Sequence, residues 1–433
     1  MALSVKTVSF SSYIGKVYLY YCSLIVALLF FATGNFGLLN LLGVRRGAQL
    51  VLFCSVLLVI PLVFKKYGAL LLEPLFAAVN IFLLFELLLR ARSLELATYL
   101  ISLLVVAFIL MAGDEKVDLV LRCVIVLAAV FSMMAVVQAY LIKLHPSVLD
   151  DMSRPYTTKT GGAAVVVDHP LSYLGFVTGH MVEILGVRIT RHYSYASEPS
   201  VLVYSFFVPG MLALTYKKML RSLAVPILIF SVLLAASGTI WLSLAVGILA
   251  YPLLRWMGHR PLLLSVIPFV LAGSMLYTIS MIDVADVMKG FVQWGENFSS
   301  LTDAATRKYG SGMVRLGNIK QGMEVIVQNL FTGTPTGRDG MGAALLLHFG
   351  HAAGITGLAV GSLAVGGILY QLVRVFHVST DFWTRWALSV IYGTLIQALF
   401  FSGFGWMRIA GFMMFAVMLV RLDYLYRQNN AAT

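Results

Sequence analysis

Apolar residues run along this chain in long unbroken stretches, without the strict alternation of a half-buried strand. The stretches fall at about 17–36, 48–64, 68–89, 94–112, 118–142, 200–216, 219–237, 238–255, 261–281, 341–373, 384–403 and 406–422. A helix needs about 20 apolar residues to cross a hydrocarbon core of ~30 Å. Each stretch therefore predicts a membrane-spanning helix, and together they predict about twelve. From Ser222 to Leu254 no residue is charged. As one helix that stretch would be ~50 Å long, too long for the core, so the chain is expected to fold back at Ser237-Gly238. The pattern predicts an all-α polytopic membrane protein forming a single integral membrane domain over residues 1–433.

Two polar segments, 143–199 and 282–340, are too long for hairpin turns. The first carries five Lys/Arg (Lys143, Arg154, Lys159, Arg188, Arg191) and five acids; the second carries six of each sign. The short loops are basic instead. Lys6, Lys16, Lys65, Lys66, Lys217, Lys218, Arg221, Arg255, Arg260, Arg374, Arg421 and Arg427 share one side when both termini are cytoplasmic. The positive-inside rule then puts both long loops outside the cytoplasm. The pairs Arg45/Arg46 and Arg90/Arg92 fall on the opposite side and leave the first four spans the least determined. Long ordered loops carry function on a membrane scaffold, so the chemistry is expected there and at the span mouths.

Composition sharpens this. The net charge is +12, 60% of residues are hydrophobic and only 12% are charged, and the mean hydropathy is +0.90. Soluble domains carry about 25% charged residues, which excludes a soluble enzyme. The basic excess is too dilute to track nucleic acid. Cys22, Cys54 and Cys123 lie in apolar runs and read as packing residues. Lys6 and Lys16 before the first run imitate a signal peptide, but the run is too long for one, and an uncleaved first span is expected.

Three constellations could carry chemistry. Arg188-Ile-Thr-Arg191-His192 through Glu198-Pro199-Ser200 closes the first long segment at a span mouth. Arginine holds phosphate or carboxylate bidentately; the alternative is snorkelling arginines with Glu198 as a helix cap. Tyr309-Gly-Ser-Gly-Met-Val-Arg315-Leu precedes a helix expected over 313–328, then Asn329-Leu-Phe-Thr-Gly333-Thr-Pro335-Thr-Gly337-Arg338. A cation in a first helical turn is disfavoured by the dipole, so Arg315 is expected to face an anion. His348-Phe-Gly-His351 lies within the next run, on nearly one helical face. Histidines inside a span are a functional signal, and a metal is one reading. The other is hydrogen bonding inside an interface packed by Gly350/Gly354 and Gly357/Gly361. Glu73 and Glu86 read as end-of-span partners of Lys65, Lys66 and Arg90.

This layout resembles the O-antigen polymerase and ligase family of bacterial inner membranes, the Wzy-type repeat-unit polymerases in particular. An R-x-x-[GS]-x-x-x-E-P-[ST] segment is matched by Arg191 to Ser200, and an [ST]-x-x-x-R-L segment by Ser311 to Leu316. An N-P-[LF]-x-G-x-x-x-G turn is similar to Asn329–Gly337, with Leu330 where proline is usual, and a G-[LI]-x-G pair matches Gly354-Ile-Thr-Gly357. Ligases of the family carry a catalytic histidine near the position of Ala343, whereas the histidines here come later, at 348 and 351.

The resemblance implies a glycosyltransferase without a cofactor, acting at the periplasmic face of the bacterial inner membrane. Donor and acceptor would both be undecaprenyl-pyrophosphate-linked glycans, for O-antigen, lipopolysaccharide or exopolysaccharide. Membrane lipid and a chain-length regulator would be the other partners, and nucleic acid none. Arg191 and Arg315 would stabilise the leaving pyrophosphate in place of a metal, and Glu198 would orient a group or act as base. Arg188, Arg338, Tyr309, His348 and His351 would contact substrate. Direct displacement would invert the anomeric centre. The alternatives are a ligase of the same family and a twelve-span secondary transporter.

Overall fold

A computed structural model describes most of 20–31, residues 114–144, four strands between 153 and 192, most of 202–281 and of 317–333, and residues 344–400 and 409–430. The spans expected at 48–64, 68–89 and 94–112 lie outside the described residues. The helices are α1 (Asp114–Leu144), α2 (Val203–Ala213), α3 (Met219–Leu234), α4 (Gly238–Met257), α5 (Pro261–Met281), α6 (Leu345–Val378), α7 (Phe382–Phe400) and α8 (Ile409–Asn430). Among the described residues four helical segments are long and apolar enough to cross a membrane. They are Val117–Val137, α4, α5 and Gly354–Val378. The chain is a helical membrane protein.

The expected fold-back is present: Ser237 is extended (φ −82°, ψ 121°) and separates α3 from α4. Both shorter apolar helices contain a π-helical turn, Val203–Phe207 in α2 and Phe230–Leu234 in α3. Their rings meet, with Phe206 and Phe230 5.1 Å apart and Phe31 bridging to Phe131 on α1.

Helix α7 is wrapped by its neighbours and buried on most sides. That explains why a segment expected as a span carries Ser389, Thr394 and Gln397: its surroundings are protein, not lipid. It crosses α4 where Gly247 faces Gly393, so closely that a Cβ at Gly247 would come within 2.6 Å of the Val390 Cα. The Ser389 hydroxyl donates to the Gly247 carbonyl across this crossing. Pro268 in α5 has no N–H for the carbonyl of Leu264, four residues earlier. The Tyr392 hydroxyl donates to that carbonyl at 2.6 Å. A backbone acceptor that would otherwise be stranded in an apolar bundle is thereby satisfied.

Helix α6 carries the span expected in the run 341–373 as Gly354–Val378, and it is not straight. Residues 349 and 361 of a straight helix would stand ~18 Å apart. Here the ring of Phe349 lies against Gly361, and Leu358 lies against Gly350. The helix reverses at Gly354, whose φ is +58°. A short arm, 345–353, folds back along the span that follows.

In the first long segment the structure adds two antiparallel hairpins. They are β1 (Ser153–Thr157) with β2 (Ala163–Val167), and β3 (Thr178–Ile184) with β4 (Val187–His192). The β-branched residues Val165, Val166 and Val167, and Val187, Ile189 and Thr190, suit a pleated backbone.

At the end of the bundle away from both long segments, charged groups close the structure. Arg421 of α8, 6% exposed, bonds Asp118 of α1 at 2.8 Å. Asp118 also accepts from the Tyr216 hydroxyl (2.6 Å) and from Arg122 (2.6 Å). Arg421 stacks 3.9 Å over the Tyr216 ring and donates to the Thr215 carbonyl at 3.2 Å. Nearby, Arg221 donates to the Tyr216 carbonyl and to Asp381. Asp381 caps α7 through the Thr384 N–H and hydroxyl. Burial pushes the Asp381 carboxyl up, but those bonds from Thr384 and the Arg221 charge outweigh it and hold it below the usual carboxylate value.

Breaking a buried ion pair from one side strands the other charge and costs about 3–5 kcal/mol. Arg421→Met is expected to lower the melting temperature of the purified protein in detergent well below that of the parent. Asp118→Leu/Arg421→Met should fall short of the sum of its two single changes. Strict additivity in that thermal double-mutant cycle would show the pair to be uncoupled.

Candidate functional site

The second long segment re-enters the bundle through an amphipathic helix described over 319–328, within the 313–328 expected from sequence. Ile319, Gly322 and Ile326 are buried and Met323 is half-buried, a helical stripe at i, i+3, i+4 and i+7. Gln321, Glu324, Val327 and Gln328 are exposed. Asn329 ends the helix: its side-chain amide donates to the Val325 carbonyl at 3.0 Å, and its N–H reaches the Val325 and Ile326 carbonyls. The Gly333 N–H then bonds the Asn329 carbonyl at 2.9 Å, with Gly333 left-handed at φ +68°. Glycine takes that conformation without the cost of a Cβ and is the usual residue past a helix end.

This turn is bonded directly to the reversal in α6. The Ile355 N–H donates to the Leu330 carbonyl at 2.6 Å. A Cβ on Gly354 would collide with that carbonyl, so the position needs glycine for its φ and for its clearance alike. Four residues earlier, a Cβ at Gly350 would come within 2.7 Å of Ile326. The Asn329 turn and the Gly354-Ile-Thr-Gly357 pair, apart in sequence, form one junction.

His348 and His351 lie on the short arm just before the reversal and are 3% and 4% exposed. The close packing expected around the spaced glycines is present, although Gly361 packs against the arm of its own helix. Among the described residues no three His, Cys, Asp or Glu side chains gather where an ion could be held.

Arg188 and Arg191 both fall on β4. The register pairs Arg188 with Glu183 across the hairpin. Arg191 lies between the paired residues Thr190 and His192, facing the irregularity between Thr178 and Met181. Such bulges often re-aim a residue beside a site. Strand β4 runs next to the π-turn Phe230–Leu234 of α3. Tyr309, Arg315, Glu198 and Arg338 lie outside the described residues. The sequence reading missed the Leu330–Ile355 bond. Its one visible signal was the glycine at 354, whose need for a positive φ no local pattern reveals.

Compared with known proteins, the chain matches no protein-family model, no curated protein and no solved structure. The junction itself is open to test. A left-handed conformation costs a non-glycine residue about 1–2 kcal/mol, and the Leu330 carbonyl adds a steric collision. Gly354→Ala should lower the melting temperature in detergent and reduce the folded yield. Gly273→Ala, where a Cβ meets nothing within 4 Å, should be neutral or slightly stabilising. An unchanged melting curve for Gly354→Ala would show that the reversal does not depend on this glycine.

Proposed function

We propose that this chain is a membrane glycosyltransferase that joins lipid-pyrophosphate-linked oligosaccharide repeat units at the periplasmic face of a bacterial inner membrane. The observation that supports this best is the junction at Leu330 and Ile355. It unites two of the four segments that carry the resemblance to the repeat-unit polymerases, the turn from Asn329 and the pair Gly354–Gly357. A turn closing a long loop and the mouth of the next span then make one wall, the arrangement needed to meet a substrate anchored in lipid.

In the proposed reaction the acceptor's sugar hydroxyl attacks the anomeric carbon of the donor. The new C–O bond forms as the bond to pyrophosphate breaks, its electron pair leaving with the lipid pyrophosphate. The hydroxyl proton passes to Glu198 or to solvent, and attack from the far side inverts the carbon. Arg191 and Arg315 hold the developing anion, each a fixed fork of donors that never deprotonates. Arg188, also on β4, contacts the substrate beside them. Tyr309 and Arg338 line the substrate path, and the buried His348 and His351 pack the wall behind it. The junction also gives the transporter reading some support, since broken helices line transporter sites. A transporter leaves its substrate chemically unchanged, which separates the two.

Loss of one contact to a developing anion costs roughly 10²–10³ in rate. Arg191→Lys and Arg315→Lys should therefore remove detectable polymer at normal protein levels, with single lipid-linked repeats accumulating as in a deletion strain. The double variant should be little worse than either. Glycan analysis showing parental chain lengths in both single variants would reduce these arginines to headgroup anchors. The histidines test the ligase alternative. His348→Ala and His351→Ala, buried in the reversal, should lower membrane abundance while activity per molecule is largely kept. An abundant but inactive histidine variant would instead assign chemistry to the short arm.

A further inference from the structure

The helix over 319–328 and its closing turn have three sides, not two. Ile319, Gly322, Met323 and Ile326 face the protein, and Gln321, Glu324 and Gln328 are exposed and polar. Val327 stands between these sides, and Phe331 follows in the turn that closes the helix. They are 68% and 79% exposed. Large apolar groups this open need a partner, and the structure indicates which. Leu330, exposed beside Phe331, is bonded through its carbonyl to Ile355, which is also exposed. Ile355 begins the outward stripe of the α6 span, continued by Ala359 and Leu363. That span is long and apolar enough to cross a membrane, so its outward stripe faces hydrocarbon. The Val327–Leu330–Phe331 ridge adjoins this lipid-facing surface through the Leu330–Ile355 bond.

We propose that the ridge is immersed in the acyl chains of the leaflet on the side of the long segments. The helix over 319–328 would then be an interfacial strap, with one side on protein, one in lipid and one in water. An interfacial helix buries its apolar side ~5–10 Å into the headgroup and acyl boundary. Lys320, seven residues before Val327 and on its side, has a stem long enough to carry its ammonium out to the headgroups. The proposal does not depend on the reaction catalysed.

The test uses the full-length protein with Cys22, Cys54 and Cys123 replaced by alanine, reconstituted in phospholipid nanodiscs. Spin labels are placed singly through Val327→Cys, Phe331→Cys, Gln321→Cys and Glu324→Cys. Collision rates are measured with oxygen, which concentrates in hydrocarbon, and with a water-soluble nickel chelate. Labels at 327 and 331 should be relaxed several-fold more by oxygen than by nickel, and labels at 321 and 324 the reverse. Nickel dominance at 327 and 331 would place the ridge in water and overturn the proposal. Protection from both reagents there would mean that protein covers it, and would overturn it equally.

Discussion

The 2.6 Å bond from the Ile355 N–H to the Leu330 carbonyl answers the constraint on which this architecture depends. Inside a membrane no water completes a broken backbone ladder, so each freed N–H or carbonyl must find a protein partner. A reversal within α6 frees such groups, and the chain supplies an acceptor from the end of another helix. The pairing fixes Gly354, fixes the approach of the 319–331 segment, and sets Gly350 against Ile326. Pro268 follows the same rule on a smaller scale: the Leu264 carbonyl it leaves is taken by Tyr392. Breaks in α5 and α6 survive because neighbouring elements complete them.

The two ends of the bundle meet charge differently. At one end Asp118, Arg421, Tyr216 and Arg122 satisfy one another, and Arg221 extends the set to Asp381. Each residue there belongs to a loop or helix end that the positive-inside rule assigns to one side. The grouping of Asp118, Tyr216, Arg421 and Asp381 supports the relative order of the spans between 114 and 430. A closed set of this kind stabilises and orients helices but leaves little charge for a ligand. At the other end strand β4 carries Arg188 and Arg191, the two arginines of the first long segment proposed to meet the substrate.

Much of the helical plan was legible because membrane spans announce themselves by length alone. The run 261–281 and the break at Ser237 appear where the apolar pattern put them. What the pattern missed depends on tertiary partners. An apolar run from 341 to 373 reads the same whether it crosses once or doubles back. Only the φ of Gly354 decides, and that φ is held by a carbonyl 24 positions away in sequence. The strands of the first long segment are short and carry no strong alternation. Asp118 and Arg421 are 303 positions apart, and no local signal joins them. The candidate site was legible as segments but not as a juncture. The glycine spacing hinted at close approach without naming what approaches.

The chemistry proposed for this chain and the lipid contact of its strap converge on the membrane boundary for a common electrostatic reason. A pair of unit charges 4 Å apart gains about 1 kcal/mol in bulk water but about 4 kcal/mol at an effective dielectric of 20. Arginines in open solvent would stabilise a leaving pyrophosphate weakly, whereas deep in hydrocarbon they would cost more to bury than they return. The boundary lies between these limits. A lipid-linked reactant carries its pyrophosphate at the same depth, since its tail is held in hydrocarbon and its glycan in water. A strap with one side on protein, one in lipid and one in water would set the mouth of the following span at that depth. The glycine junction that ties the strap to α6 would keep it there. On this argument the reversal at Gly354 contributes position instead of chemistry: it holds the late wall of the site at the one depth where arginine charge is both tolerated and effective.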